Sequence, residues 1–294
     1  MRRKRTAIIS PLDSSLSHPK VTKNPRTLVD EINGLIRVYK DGHVERSQIV
    51  PHVMSAWSCY HEFLALLASK AGCVIMSLDY RLAPENPLPA AYEDGEKALM
   101  WLKQQAVSES DKWWSNQCDF TNIFLAGNSA GGNITHNVTL RLCANRAHLK
   151  PLIFKGNILI QPFFGGESRT YSETLMVLPD GSALDLTTSD TYWRLSLPKG
   201  VNRDHPWCNP LAKRSTMVER MRYLATMVCV SELDILKERN MEFCRVLGTL
   251  GIEVDHVVYK GVGHAFHILG KSHMSQMRTQ EMISHIKAFI TKNR

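Results

Sequence analysis

Ser129 sits at the centre of Gly127-Asn128-Ser129-Ala130-Gly131, a Gly-x-Ser-x-Gly pattern. Residues 122–126 (NIFLA) before it read as a strand, and residues 131–144 after it read as a helix. A serine on such a sharp strand-to-helix turn carries its hydroxyl clear of the strand's C-terminal edge, and small neighbours let the chain fold back. On this reading Gly127 and Gly131 are glycine for steric reasons. A serine hydroxyl is a poor nucleophile at neutral pH; it needs a histidine to take its proton and a carboxylate to orient that histidine. Asp234 follows the apolar run 224–230, and His264 follows the run 254–259 through a loop bracketed by glycines. Alternatives stand beside each residue. Asp234 could cap the helix that begins near Leu236, Glu232 is a rival carboxylate, and His264 and His267 could both be loop histidines.

Five short apolar runs, 73–78, 122–126, 156–160, 224–230 and 254–259, read as strands. Most are continuous rather than alternating, as expected for strands covered on both faces. Amphipathic stretches at 56–71, 90–105, 131–144, 236–250 and 274–292 read as helices between and after them; in the first, Trp57, Tyr60, Leu64, Leu67 and Ala71 share one face. This alternation predicts an α/β fold with a mostly parallel sheet, helices on both faces and right-handed crossovers. Strand ends of such a sheet converge on one edge, so Ser129, Asp234 and His264 can meet there. Two regions break the rhythm. Asp41-Gly42 in 38–45 predicts a two-residue hairpin turn. The stretch 163–206 has no strand and one amphipathic patch, 187–197, which suits a lid or binding loop better than a linker.

The chain has 294 residues, 44% apolar and 22% charged, which is ordinary for a globular protein. The apolar stretch after the basic start, Ala7-Ile8-Ile9, is too short for a secretion signal, and no stretch approaches the ~20 apolar residues of a membrane span. Seven cysteines, odd in number and without a CxxC pair, argue against a disulfide framework or a zinc site and favour the cytosol. Without a secretion signal, the acceptor patterns at Asn133 and Asn137 carry little weight. The net charge of +8 and the run Arg2-Arg3-Lys4-Arg5 raise nucleic-acid binding, but the other basic residues are dispersed, so a solvated tail is expected. No metal cluster, phosphate loop or dinucleotide fingerprint appears, so no cofactor is expected.

The motifs YRLAPENPLPAAYED (80–94), AGNSAGGNITHNV (126–138), QPFFGG (161–166) and YKGVGHAF (259–266) resemble those of the plant carboxylesterases. These belong to the hormone-sensitive-lipase-like group of α/β hydrolases, which also holds the gibberellin receptors. The likeness extends from residue 35 to the C-terminal helix. It implies Ser129 as nucleophile, His264 as general base, Asp234 as its orienting partner and the Ala130 N–H as one oxyanion donor. Two departures stand out. The family has aspartate where Asn128 stands. It also carries a His-Gly-Gly-Gly loop just before the helix that here begins near Trp57, and the backbone of that loop supplies most of the oxyanion hole.

Only residues 47–54 separate Arg46 from Ser55, where the family places three strands and the glycine loop. Three strands with their connections need at least ~25 residues, so the segment is absent rather than diverged. His52 is an incidental loop histidine, because Val53-Met54 lack the freedom of glycine. The expected architecture is therefore an α/β-hydrolase without its first three strands, with an N-terminal cap segment and truncated junction (1–54) and a catalytic domain (55–294). One missing strand belongs between 73–78 and 122–126, so the sheet must close a gap or expose an edge, and lower stability and aggregation are expected.

The leading expectation is a serine carboxylesterase acting on small to medium esters through an acyl-enzyme, with activity weakened by loss of the loop. The alternatives are a non-catalytic, gibberellin-like small-molecule binding protein and an inactive truncated product. Retention of His264 ranks the enzyme first, since the gibberellin receptors replace that histidine. Phe163, Phe164, Tyr192 and Trp193 are candidate pocket walls, although aromatic residues at such spacing also serve as core. A small ester is the expected partner, with no nucleic acid and no membrane.

Overall fold

A computed structural model describes residues 27–32, 36–41, 43–46, 56–108, 112–144, 146–212 and 224–294. The basic run 2–5, Gly42, His52 and the junction 47–54 lie outside the described residues, as does the Trp57 side chain. The chain divides into two compact units, Met1–Val53 and Met54–Arg294. In the first, β1 (Leu28–Ile32), β2 (Ile36–Tyr39) and β3 (Val44–Arg46) form an antiparallel sheet in that order. Asp41 makes the β2–β3 turn by accepting the His43 N–H at 3.0 Å, while the Tyr39 hydroxyl donates to Glu45 at 2.7 Å across the pair.

The second unit is built on β4 (Ile123–Asn128), β5 (Phe154–Ile160), β6 (Ala225–Leu233) and β7 (Val254–Gly263). They pair in parallel in that order, so all four C-terminal ends share one edge. Helices α1 (Ala56–Ala71) and α9 (His273–Lys292) cover one face. There Phe63, Leu67, Met282, Ile286 and Phe289 meet Ile158, Ile160, Met227 and Cys229. On the other face α4 (Ala130–Ala144) and α7 (Lys237–Thr249) bring Leu140, Phe243 and Leu247 onto Leu159, Val228 and Val230. Alternate residues of one strand thus enter opposite cores, which is why the runs are continuously apolar. The α2 helix (Ala90–Val107) packs Tyr92 and Leu99 against Val138 and Leu142 of α4, and the short α3 (Lys112–Gln117) and α8 (Phe266–Leu269) precede β4 and α9.

The strand expected at 73–78 does not form: among the described residues this stretch joins no ladder. Its side chains still alternate as a strand's would. Cys73 and Ile75 pack against the core under α1, while Val74 and Met76 are exposed at 45% and 37%. A strand needs a neighbour for its N–H and C=O groups, and the neighbour that the resemblance implies falls in the segment expected to be absent. On the other side of that gap, β4 is only half-buried whereas the last five residues of β5 are all buried.

Within 163–206, α5 (Tyr171–Thr174) starts with a capping box between Thr170 and Glu173, and α6 (Leu186–Ser196) is capped by Asp185, which accepts the Thr188 N–H at 2.7 Å. The stretch packs through Phe163, Leu184, Trp193 and Leu197 onto Cys208, Ile235 and Leu236. Ion pairs bind it further. Arg169 and Arg203 share Asp190, and the partly exposed Arg239 of α7 grips the buried Glu173 at 2.8 Å through both nitrogen–oxygen pairs.

Candidate active site

Ser129 directly follows β4 and is the residue that turns the chain into α4. Its φ of 52° lies in the left-handed region, a strained conformation for a residue with a Cβ. The turn is held by its own backbone: the Ser129 N–H donates to Ile160 O at 2.9 Å, and Ser129 O accepts from the N–H groups of Asn133 and Phe163 at 3.1 and 2.9 Å. A Cβ on Gly127 would sit 2.1 Å from Gly131 O, so only glycine fits. The steric argument fails for Gly131, whose Cβ would meet nothing within 4 Å; the second crowded position is Gly132, 2.9 Å from the Cα of Pro162.

Asp234 and His264 directly follow β6 and β7. His264 Nε2 lies 2.9 Å from Ser129 Oγ, and His264 Nδ1 lies 2.7 Å from Asp234 Oδ2. Asp234 is 1% exposed, and its other oxygen accepts the Leu236 N–H at 3.0 Å. One carboxylate thus bonds His264 and closes the turn that leads into α7, whose N-cap is Leu236 without a side-chain cap, so Asp234 is not the helix cap. The rival Glu232 accepts the Gly261 N–H at 2.9 Å instead. Ala130 is the first residue of α4, where a backbone N–H has no intrahelical acceptor, and its amide is next to Ser129. Asn128 donates to the Tyr60 hydroxyl at 2.8 Å, and its buried Oδ1 accepts no hydrogen bond from protein.

The aromatic candidates divide. Phe164, 2% exposed, lies in the core with Phe243 at 4.9 Å, so it is packing and not a pocket wall. Trp193, also 2% exposed, stacks parallel on Phe163 at 4.7 Å inside the cluster that anchors the 163–206 stretch. Tyr192 keeps partial exposure, with its ring 6.3 Å from that of Phe163. His267 is buried against Phe63 at 4.8 Å, with neither ring nitrogen hydrogen-bonded to protein. Burial, reinforced by nearby His264, pushes its pKa down to about 3, so it stays neutral. Among the described residues no cluster of three or more His, Cys, Asp or Glu side chains could hold a metal ion, and no helix is long and apolar enough to cross a membrane.

Gln161, for which the sequence suggests no role, directly follows β5 and has a φ of 47°. Its amide bonds residues on either side of His264. The available signal was a glutamine closing the otherwise apolar run ILI, a polar residue at the C-terminal end of a buried strand.

A family model described as the alpha/beta hydrolase fold matches residues 52–268. The chain belongs to the alpha/beta-hydrolase family. It is 42% identical to "Probable carboxylesterase 6" of Arabidopsis thaliana, with 90% of this chain and 91% of the relative covered. That alignment runs over 318 positions, more than the 294 residues here, so the relative carries residues without a counterpart in this chain. The gibberellin receptor GID1B of the same plant is 34% identical over 88% of this chain and 74% of its own. Among solved structures, a hyperthermophilic esterase from the archaeon Pyrobaculum calidifontis superposes with a TM-score of 0.67 at 26% identity, covering 81% of this chain and 72% of that one.

Proposed function

We propose that this hydrolase is a serine carboxylesterase in which Ser129, His264 and Asp234 form the catalytic triad. The observation that carries the reading is the unbroken line from Asp234 Oδ2 through both His264 nitrogens to Ser129 Oγ, with spacings of 2.7 and 2.9 Å. In this mechanism His264 Nε2 takes the Ser129 proton as the hydroxyl attacks the ester carbonyl. Asp234 holds the Nδ1–H tautomer and stabilises the imidazolium. The Ala130 N–H donates to the oxyanion, the alcohol leaves with the proton from His264, and water activated by the same histidine frees the acid. The partly exposed Tyr192 is the remaining candidate for contact with the acyl or alcohol group. Names of the relatives support esters as substrates, and the cysteine usage suits the cytoplasm.

The missing glycine loop sets the expected rate. Loss of one oxyanion donor costs roughly 10²- to 10³-fold in kcat, so slow turnover is expected. Turnover of p-nitrophenyl acetate by the purified chain, compared with Ser129→Ala, tests the reading; equal rates overturn it. The likeness to gibberellin receptor GID1B supports a second reading, a small-molecule binding protein. Calorimetric binding of a gibberellin-like acid, with no turnover above the Ser129→Ala background, would replace the first reading with this one.

A further inference from the structure

Each strand of the main sheet hands the site its next residue: Ser129 follows β4, Asp234 follows β6 and His264 follows β7. Gln161 stands at the corresponding place after β5, which lies between β4 and β6. It is 1% exposed, and its hydrogen bonds reach the loop that carries His264 from both sides. Gln161 Oε1 accepts the Ala265 N–H at 2.8 Å, and Gln161 Nε2 donates to Gly263 O at 3.3 Å. The same nitrogen contacts Ser231 Oγ on β6. Ala265 can only donate through its N–H and Gly263 can only accept through its C=O, so the amide has one usable orientation.

The backbone repeats the pattern. Gln161 N–H donates to Cys229 O on β6 at 2.8 Å, and the preceding Ile160 O accepts the Ser129 N–H at 2.9 Å. Among the described residues, the non-glycine positions with positive φ are Ser129, Gln161 and Ala265, all within this connected group. Strain of this kind persists where the surroundings over-determine the conformation.

Building on the triad reading above, we propose that Gln161 is a positioning residue for the histidine: its side-chain amide clamps the peptide groups on both sides of His264 and thereby sets the imidazole between Asp234 and Ser129. Nothing in this role requires Gln161 to touch substrate. Its action is to restrict the His264 loop, and a hydrocarbon of equal length cannot replace it, because the Gly263 carbonyl and Ala265 N–H would lose their partner.

The test uses the full chain with Gln161→Met and Ser231→Ala, the second loosening the amide while leaving Gln161 in place. The readout is the proton resonance of the His264 Nδ1–H, shifted downfield by its bond to Asp234 and assigned by its disappearance in His264→Gln. Circular dichroism and a cooperative thermal transition establish which variants fold. In folded Gln161→Met the resonance is expected to broaden or vanish and kcat to fall roughly 10²-fold with little change in KM, the cost of a misplaced catalytic group. Ser231→Ala should change both in the same direction, by less. A folded Gln161→Met with the parent resonance and the parent kcat overturns the proposal. If Gln161→Met does not fold, an unchanged resonance in Ser231→Ala overturns it. The resonance reports His264 whether or not esters are hydrolysed, so a parent chain without turnover removes the esterase reading and leaves the spectrum to decide the role of Gln161.

Discussion

Ser129 Oγ and His264 Nε2 stand 2.9 Å apart although 135 residues separate them in the chain. The pair meets because β4 and β7, at opposite ends of a parallel sheet, both end on the same edge. Asp234 completes the line, and its two oxygens are used differently: Oδ2 faces His264 and Oδ1 accepts the Leu236 N–H. Asp234→Asn can keep the second bond through its amide oxygen while forcing the wrong histidine tautomer. It should lower kcat by roughly 10⁴-fold. Urea unfolding should change little, whereas Asp234→Ala should also lose the hydrogen bond that closes the turn ahead of α7, about 1 kcal/mol. Ester hydrolysis and urea titration of the two variants check both halves.

The two glycines of the serine motif should behave oppositely. Gly127→Ala places a methyl 2.1 Å from the Gly131 carbonyl oxygen, a backbone atom that cannot move without opening the turn. Destabilisation of more than about 3 kcal/mol, or failure to fold, is the expected result for such strain. Gly131→Ala meets nothing within 4 Å and lies in the first turn of α4. It should be neutral or stabilising by up to about 1 kcal/mol, since alanine costs less backbone entropy than glycine. Urea midpoints of the two variants give the comparison.

What could be read from the sequence follows the distance over which its causes act. The runs at 156–160 and 224–230 marked β5 and β6 because both faces of each strand are buried, and that leaves an uninterrupted apolar signature. The order of Ser129, Asp234 and His264 was legible because each directly follows a strand. The stretch 73–78 has the composition of a strand, but a strand exists only with a neighbour, and composition cannot report one that is missing. Phe163 and Phe164 are adjacent yet enter different cores, which depends on the turn after Gln161 and not on residue type. The clamp on the His264 loop joins residues about a hundred positions apart, a relation with no local signature.

The half-buried β4 predicts uneven backbone protection. Its ladder runs along β5, and among the described residues no strand pairs with its other side. Amides that point toward that side join no ladder among the described residues, so they are expected to exchange without the sheet opening. In hydrogen exchange followed by mass spectrometry, a peptide covering 123–128 should take up deuterium faster than peptides covering 154–160 or 225–233. Restoring the strand-bearing segment of a carboxylesterase relative ahead of α1 should slow the first peptide and leave the other two as they are. Equal protection of all three peptides in the parent chain would contradict the open edge.

His136 makes stability depend on pH in one direction. The side chain is 1% exposed on α4, edge-on to Phe164 at 5.5 Å and to Phe243 at 5.2 Å, and neither ring nitrogen bonds to protein. Burial makes the cation costly and lowers the pKa from 6.5 to about 4. Above pH 6.5 the imidazole is neutral in both folded and unfolded chains and stability does not depend on its titration. Between 6.5 and about 4 the unfolded chain holds a proton that the folded chain refuses, so stability falls as the pH falls, by about 3 kcal/mol once the folded pKa is reached. Buried His267, held down to about 3, adds a loss of the same sign that extends lower. His136→Leu removes the first contribution and keeps an apolar side chain between the two phenylalanines. Its urea midpoint should therefore drop less than that of the parent between pH 7 and about pH 4.5, with the remaining drop carried by His267 and the carboxylates.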